Sequence, residues 1–207
     1  MIAHPSFKLP TDKRAQLFGV AREEFAARGF GQASLNRIIG EVGMSKSSFY
    51  HFFENKTDLF QQTLEQSLAP FLGILNALDL SVLNAENFWP TMQMMADGMA
   101  EAINQNPDFI LVGRMFYRSR DNAAELGLTD DLLLVSGAWI ERILQHGQAL
   151  GLLRDDVPNS FLMDGVMALG MAIDRWMLSH WDDIAEAERK ILQHQAFDMF
   201  VRLLEKR

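Results

Sequence analysis

The sequence predicts an all-α protein of about nine helices. Three observations support this fold class. Alternating runs of Val, Ile and Thr, which mark strands, are few, whereas apolar residues recur at the spacing of three and four that places them on one face of a helix. Residues that start and stop helices lie between these segments. With 207 residues, 48% of them hydrophobic, the chain is long enough to bury a substantial core.

The first three predicted helices are closely spaced. Thr11 is a candidate N-cap for a helix over residues 12–28, and Gly29 follows at the left-handed position that ends many helices. The apolar face of this helix consists of Leu17, Phe18, Ala21 and Phe25. Ser34 is a candidate N-cap for a short second helix, and Ser45 for a third that runs to about Phe52.

The later helices are longer. The fourth begins near Asn55 and is expected to run to about residue 78, with an interruption at Pro70, whose ring removes a backbone donor and clashes with the preceding turn. Asn-Pro, Gly and Asp-Asp sequences separate the rest. These helices are predicted at residues 88–104, 107–119, 130–149, 158–178 and 184–205.

The charge distribution divides the chain into two parts. The whole chain carries a net charge of −8, but residues 1–60 carry +2 and residues 61–207 carry −10. Phosphate affinity depends on Lys and Arg, so the overall balance argues against a general nucleic-acid binder. The asymmetry between a slightly basic first part and an acidic remainder suggests two functions in one chain.

Residues 34–53, SLNRIIGEVGMSKSSFYHFF, have the pattern of a helix-turn-helix. Two short helices are separated by Gly43-Met44, a break of the length and glycine content that such a unit uses to cross its helices steeply. In a helix-turn-helix the second helix presents its N-terminal residues to the major groove. That turn holds donors beside the positive end of the helix dipole: Ser45, Lys46, Ser47 and Ser48.

Several residue positions agree in one register with the N-terminal domain of the TetR family of bacterial transcriptional regulators, which this part of the chain resembles. The matching positions are Leu17-Phe18, Ala21, Phe25, Gly29-Phe30, Ser34, Ile38, Gly43-Met44-Ser45-Lys46, Phe49-Tyr50, Phe53, Asn55-Lys56 and Leu59. The resemblance implies an all-helical homodimer whose N-terminal domain binds palindromic operator DNA. It also implies two domains: an N-terminal helix-turn-helix DNA-binding domain, which we place at residues 1–55, and a C-terminal regulatory domain at residues 56–207 that dimerises and holds an inducer.

The resemblance also implies which residues contact DNA. Ser34 matches a phosphate-contacting cap, and Asn36 and Arg37 match positions that often face the operator. Lys56 resembles a phosphate-binding lysine at the start of the fourth helix. The recognition-helix face corresponds to Lys46, Ser47, Ser48, Tyr50 and His51, and with Ser45 these residues make up the predicted DNA interface.

Large, soft apolar side chains are common in the second part of the chain. Methionine adapts its shape to varied neighbours, so a cluster of methionine and aromatic residues suits either an ordinary core or an apolar inducer pocket. The candidate pocket residues are Trp89, Met92, Met95, Met99, Phe109, Phe116, Trp139, Met167, Met171 and Trp176. We expect a small, largely apolar inducer to bind there.

The last two predicted helices carry the features of an interface between two copies of the chain. Gly165, Ala168 and Ala172 form a stripe of small residues that permits close helix approach, and the final helix is apolar on more than one side. We therefore expect a homodimer that pairs these two helices with their symmetry mates. Burial within the monomer is the alternative.

The sequence offers little support for an enzyme. It contains no cysteine, its five histidines lack metal-ligand spacing with carboxylates, and no nucleophile, base and orienting group recur together. We expect no cofactor, no metal and no catalysis, and regulation by repression. Two alternatives stay open: an activator or a regulator controlled by a partner protein, and an all-helical enzyme or ligand-binding bundle with a vestigial helix-turn-helix.

The sequence also indicates where the protein acts. Its first 30 residues carry charges throughout and have no apolar stretch of signal-peptide length, and no later apolar run approaches the roughly 20 residues that span a bilayer. A cytoplasmic protein without a membrane partner is the expectation.

Overall fold

The structure, a computed structural model, describes residues 4–123 and 129–206. Nine α-helices lie within these ranges. They are α1 Thr11–Gln32, α2 Leu35–Glu41, α3 Lys46–Phe52, α4 Lys56–Asn76, α5 Phe88–Gln105, α6 Asp108–Ala123, α7 Asp130–Ala149, α8 Asn159–His180 and α9 Glu186–Leu204. Short 3₁₀ turns occur at Pro5–Lys8 and Leu80–Val82. The predicted all-α class is confirmed.

Two local predictions are wrong. Thr11 is the first residue of α1 and not its cap, because Pro10 occupies the cap position and has no side-chain acceptor. Helix α4 is not interrupted at Pro70, which lies inside it. A proline removes one backbone donor, and the loss of one hydrogen bond does not end a helix whose other turns stay bonded.

The helices form two compact units that do not follow chain order. The first contains α1, α2, α3 and α4 as far as Ala69, together with α6. The second begins at Pro70 and contains the end of α4, then α5, α7, α8 and α9. These are packing units, and the functional division after residue 55 stays a prediction.

The first unit has a dense aromatic core. The predicted apolar face of α1 is buried, with Leu17 and Phe25 entirely inaccessible. The ring of Phe60 lies edge-on to Phe25 at 5.0 Å and to Phe30 at 5.3 Å between centroids. Such edge-to-face pairs add attraction beyond the burial of their area. They fix α4 against α1 and so provide a rigid base for α2 and α3.

Helix α6 packs along α1 in this unit. The guanidinium of Arg22 on α1 donates to Asp108 of α6 at 2.5 Å, and Arg118 of α6 donates to the carbonyl oxygen of Ala27 at 2.6 Å. Gly29 has a φ of +71°, and a Cβ there would lie 3.2 Å from the carbonyl oxygen of Arg118. A glycine is required at this bend because the backbone is left-handed and the neighbouring helix is close.

The second unit has its own core around Phe88, Leu144, Leu153 and Leu162. A Cβ added to Gly147 would lie 2.6 Å from Leu153 and 2.8 Å from Phe88, so any larger residue here would force these neighbours to move. Leu153 also forms an isolated antiparallel bridge with Glu205. The bridge ties the end of α9 to the segment between α7 and α8.

None of the helices in the described ranges is both long enough and apolar enough to cross a membrane.

Candidate nucleic-acid interface

Helices α2 and α3 are both capped by serine, as predicted. The hydroxyl oxygen of Ser34 accepts the backbone N–H of Arg37 at 3.3 Å, and that of Ser45 accepts the backbone N–H of Ser48 at 3.0 Å. Each cap therefore pairs one of the backbone N–H groups in the first turn that have no partner within the helix. Each hydroxyl keeps its own proton, so it remains able to donate to a phosphate oxygen.

The turn between the two helices depends on Gly43, which has a φ of +61°. The backbone N–H of Met44 donates to the carbonyl oxygen of Ile39 at 2.8 Å, and the ammonium of Lys13 binds the carbonyl oxygen of Val42. The left-handed residue and these two bonds fix the angle at which α3 leaves α2.

Helix α3 has one buried and one exposed side. Phe49 is fully buried and stacks on Phe53 at 5.2 Å between ring centroids, whereas 58% of Tyr50 is exposed. Of the other predicted contact residues on this helix, Lys46, Ser47 and His51 are exposed and Ser48 is half-buried. The structure therefore brings the predicted recognition residues together on one outward face.

The predicted contact residues of α2 are also accessible. Ser34, Asn36 and Arg37 are all exposed at the start of this helix. The Nε atom of Arg37 lies 3.5 Å from a carboxylate oxygen of Glu24. Arg37 is thus held on one side by α1 while most of its donors remain available.

Lys56 has a structural partner that the sequence did not indicate. Its ammonium donates to the carbonyl oxygens of Phe30 at 2.7 Å and Ala33 at 3.0 Å, and it lies 4.7 Å from the centre of the Phe30 ring. Burial lowers the pKa of this lysine, because desolvation disfavours the charged form. Here Lys56 closes the end of α1, and its contact with phosphate stays a prediction.

Two carboxylates support this region through contacts that the sequence did not indicate. Glu24 is buried on α1 and accepts the backbone N–H of Ser34. Asp58 accepts the backbone N–H of Glu54 at 2.9 Å and lies 3.1 Å from the imidazole of His4. Glu24 falls three residues after Ala21 on the apolar face of α1, and a charge at such a position is the signal that could have identified it as a buried carboxylate.

The candidate pocket residues are distributed over both units. Phe109 and Phe116 belong to α6 in the first unit, and the others belong to the second. In the second unit Met92 is buried, Trp89 and Met95 pack against the core, and the indole N–H of Trp139 donates to the carbonyl oxygen of Leu75 at 3.2 Å. Met99, Met167 and Met171 are half-buried, as are Trp89, Met95 and Trp139.

Trp176 differs from the other pocket candidates, because 46% of it is exposed. It stacks on His180 at 4.4 Å between ring centroids, on the same helix. Its position is typical of a surface residue of the isolated chain and not of a cavity wall.

Among the described residues, no three His, Asp or Glu side chains are grouped as a metal site.

Comparison with known proteins agrees with this arrangement. Residues 17–63 match the family of bacterial regulatory proteins called the tetR family. A transcriptional repressor of the helix-turn-helix type from Mycobacterium tuberculosis is 25% identical over 173 residues, which cover 75% of this chain and 81% of that protein. Matches to further curated regulators are shorter and span only 31–53% of those proteins.

Solved structures share the fold. A tetR family transcription regulator from Shewanella sp. PV-4 is 21% identical, with a TM-score of 0.72 over 96% of this chain and 100% of that one. The regulator FadR from Bacillus subtilis, solved in complex with stearoyl-CoA, is 14% identical, with a TM-score of 0.72 over 90% of this chain and 97% of that one. The matched segment contains the capped helices, the glycine turn and the exposed face of α3, and residues 17–63 belong to the tetR family of bacterial regulatory proteins.

Proposed function

We propose that this protein is a repressor that binds a pseudo-palindromic operator as a homodimer and releases it when a small, largely apolar molecule occupies the second unit. The observation that carries the proposal is that α3 has one buried face and one exposed polar face. One face is locked into an aromatic core, while the other presents Lys46, Ser47 and Tyr50 to solvent. A rigid helix with an exposed polar face suits insertion into the major groove.

The DNA-binding step is tested by selecting bound fragments from sheared genomic DNA of the source organism and measuring their affinity over a series of salt concentrations. Affinity should fall steeply with salt, because each phosphate contact releases counterions. Lys46→Ala should weaken binding and reduce the slope of log affinity against log salt by about 1. A reporter gene behind the selected fragment distinguishes repression from activation.

The matched control is Lys190→Ala. Lys190 is an exposed lysine on α9 that pairs with Glu186 at 3.0 Å and Glu101 at 3.4 Å. Removing it should leave the salt dependence unchanged. Salt-independent binding by the wild type, or no binding to any duplex at low ionic strength, contradicts the proposal and favours an enzyme or a ligand-binding bundle.

The exposed faces of α8 and α9 support dimerisation. On α8, Phe161 is 69% exposed and is followed at helical spacing by the exposed residues Ala168, Ala172 and Trp176. On α9, Ile191 is 59% exposed. Apolar patches of this kind mark interaction surfaces in soluble proteins, and a second copy can cover both helices in a symmetric interface.

A glutamate in the centre of the α8 face tests the dimer. Ala172→Glu should convert the protein to a monomer in light scattering at micromolar concentration, because the interface would have to bury an unpaired carboxylate. Ala85→Glu, the same substitution at an exposed alanine outside α8 and α9, should leave the dimer intact. A monomeric wild type at that concentration contradicts the proposed interface.

The inducer is proposed to bind in the second unit. The support is its supply of half-buried methionine and tryptophan side chains, which can rearrange around an apolar guest, and the likeness in fold to a regulator solved with stearoyl-CoA. The acidic balance of residues 61–207 favours a neutral or cationic ligand over an anionic one. Bound ligand would shift the dimer to a state whose recognition helices no longer match half-sites roughly 34–36 Å apart.

The inducer proposal is tested by adding candidate ligands to the protein on its selected DNA fragment. A true inducer raises the melting temperature of the free protein and lowers its affinity for that fragment. Stabilisation without loss of DNA affinity counts against the mechanism. We further propose that the protein acts in the cytoplasm without catalytic activity.

A further inference from the structure

Glu24 is the most unusual side chain of the first unit. It lies on α1 between the core residues Ala21 and Phe25, and only 5% of its side chain is exposed. A buried carboxylate is costly unless hydrogen bonds and opposite charges compensate for the lost water. The partners of this carboxylate therefore indicate its role in the structure.

Each oxygen of this carboxylate has its own partners. Oε1 accepts the backbone N–H of Ser34 at 3.0 Å and lies 3.2 Å from Nε of Arg28. Oε2 lies 3.5 Å from Nε of Arg37. Glu24 thus binds both the cap residue of α2 and an arginine on the first turn of that helix.

These contacts place Glu24 directly behind the outward face of α2. The side chain of Arg37 is 56% exposed, and its ion pair with Glu24 is made at the Nε edge of the guanidinium, at 3.5 Å. The terminal nitrogens keep the donors with which arginine binds phosphates and bases. An arginine side chain that is held at Nε by an ion pair has fewer accessible rotamers than an arginine side chain without such a partner.

We propose that Glu24 is a positioning residue that makes operator recognition selective, by restraining Arg37 and the start of α2. This inference rests on the proposed function, since it concerns the same DNA interface. A restrained arginine makes its contact only on DNA whose shape and sequence bring the partner atom to it. A freed arginine finds a phosphate on any duplex and adds affinity without selectivity.

The decisive variant is Glu24→Gln. Its amide oxygen can still accept the backbone N–H of Ser34, so the cap of α2 is retained, but the charge that holds Arg37 is lost. We expect the ratio of affinities for the genomic fragment most enriched by the wild type and for a scrambled duplex of equal composition to fall on the order of tenfold, the selectivity of one well-placed side-chain contact. Affinity for the scrambled duplex should be unchanged or higher.

The control is Glu23→Gln, which makes the same charge change at the neighbouring exposed residue of α1. It should leave the ratio unchanged. A double-mutant cycle identifies the route, because Glu24→Gln should have no further effect on the ratio in an Arg37→Gln background. Far-UV circular dichroism and thermal melting of each variant report whether the fold is retained.

Several outcomes overturn the assignment. Equal losses of affinity for both duplexes mean that Glu24 only stabilises the fold, and an undiminished effect in the Arg37→Gln background means that it does not act through Arg37. Should Glu24→Gln fail to fold, Glu24→Asp keeps the charge but withdraws it by one methylene, and retained selectivity in that variant also overturns the proposal. A wild type that binds both duplexes equally defeats the proposed function itself.

Discussion

The two packing units differ in how completely they bury their own apolar residues. In the first unit Leu17, Phe25, Phe49 and Phe60 are fully inaccessible, and polar residues cover the outer faces of α2 and α3. In the second unit a buried core coexists with large apolar side chains on the surfaces of α8 and α9, including Met199 and Trp176. The first unit buries most of its large apolar side chains within one chain, whereas the second leaves an apolar surface that another molecule could cover.

The largest expected effect tests the completeness of the first core. Phe25→Ala should reduce the free energy of unfolding by about 3–5 kcal/mol, because it leaves a cavity among close-packed rings. Denaturant unfolding followed by circular dichroism measures the change. Phe7→Ala is the control, since half of Phe7 is already exposed, and it should cost far less. Similar losses in both variants would mean that the core of this unit is loosely packed.

A second prediction tests whether the core of the second unit is equally tight despite its exposed surface. Gly147→Ala should destabilise the protein by about 1–3 kcal/mol, because the new methyl group would overlap Leu153 and Phe88. Gly98→Ala on α5, where an added Cβ has no neighbour within 4 Å, should instead be neutral or slightly stabilising. If both variants melt at the same temperature, the neighbours of Gly147 can move to accommodate the added methyl group, and the core of this unit is not tightly packed.

The smallest effect concerns an exposed ion pair that follows α9. Lys206 donates to Asp155 at 2.8 Å, and this hydrogen bond and charge lower the pKa of the Asp155 carboxyl. The pair therefore stabilises the fold fully above the ordinary pKa of an aspartate, and the contribution is lost as the pH falls through the lower pKa of the folded state.

Lys206→Met should raise the pKa of Asp155 towards its usual value, as measured by titration of the carboxyl group by NMR. The change in stability should be slight, since surface pairs contribute little. Lys8→Met, at an exposed lysine in the other unit, should leave that titration unaltered. An unchanged pKa in Lys206→Met would show that the pair does not form in solution.

Local features of the fold could be predicted from the sequence because they depend on neighbouring residues. The apolar face of α1, the serine caps at Ser34 and Ser45 and the left-handed Gly29 each follow from spacing over a few positions. The exposed face of α3 followed from the same reasoning together with the resemblance to a family, and its contacts with DNA stay predictions.

The remaining features depend on residues far apart in the chain. Nothing near Lys56 indicates that its ammonium would reach the carbonyls at the end of α1, and nothing near Glu24 indicates its bond to Ser34. The association of α6 with α1 through Arg22 and Asp108 also joins segments that chain order separates. A pattern read along one helix identifies its buried side but not the partner that covers it.

The placement of α6 has a consequence for engineering. Hybrid regulators are made by joining the DNA-reading part of one protein to the sensing part of another, and a cut after residue 55 or Ala69 is the obvious choice. Such a fragment would leave behind Val112 and Met115, which complete its buried core, and would expose the flank of α1 to water. A transplant from this protein should carry residues 108–123 with it, grafted back through the recipient's own connections.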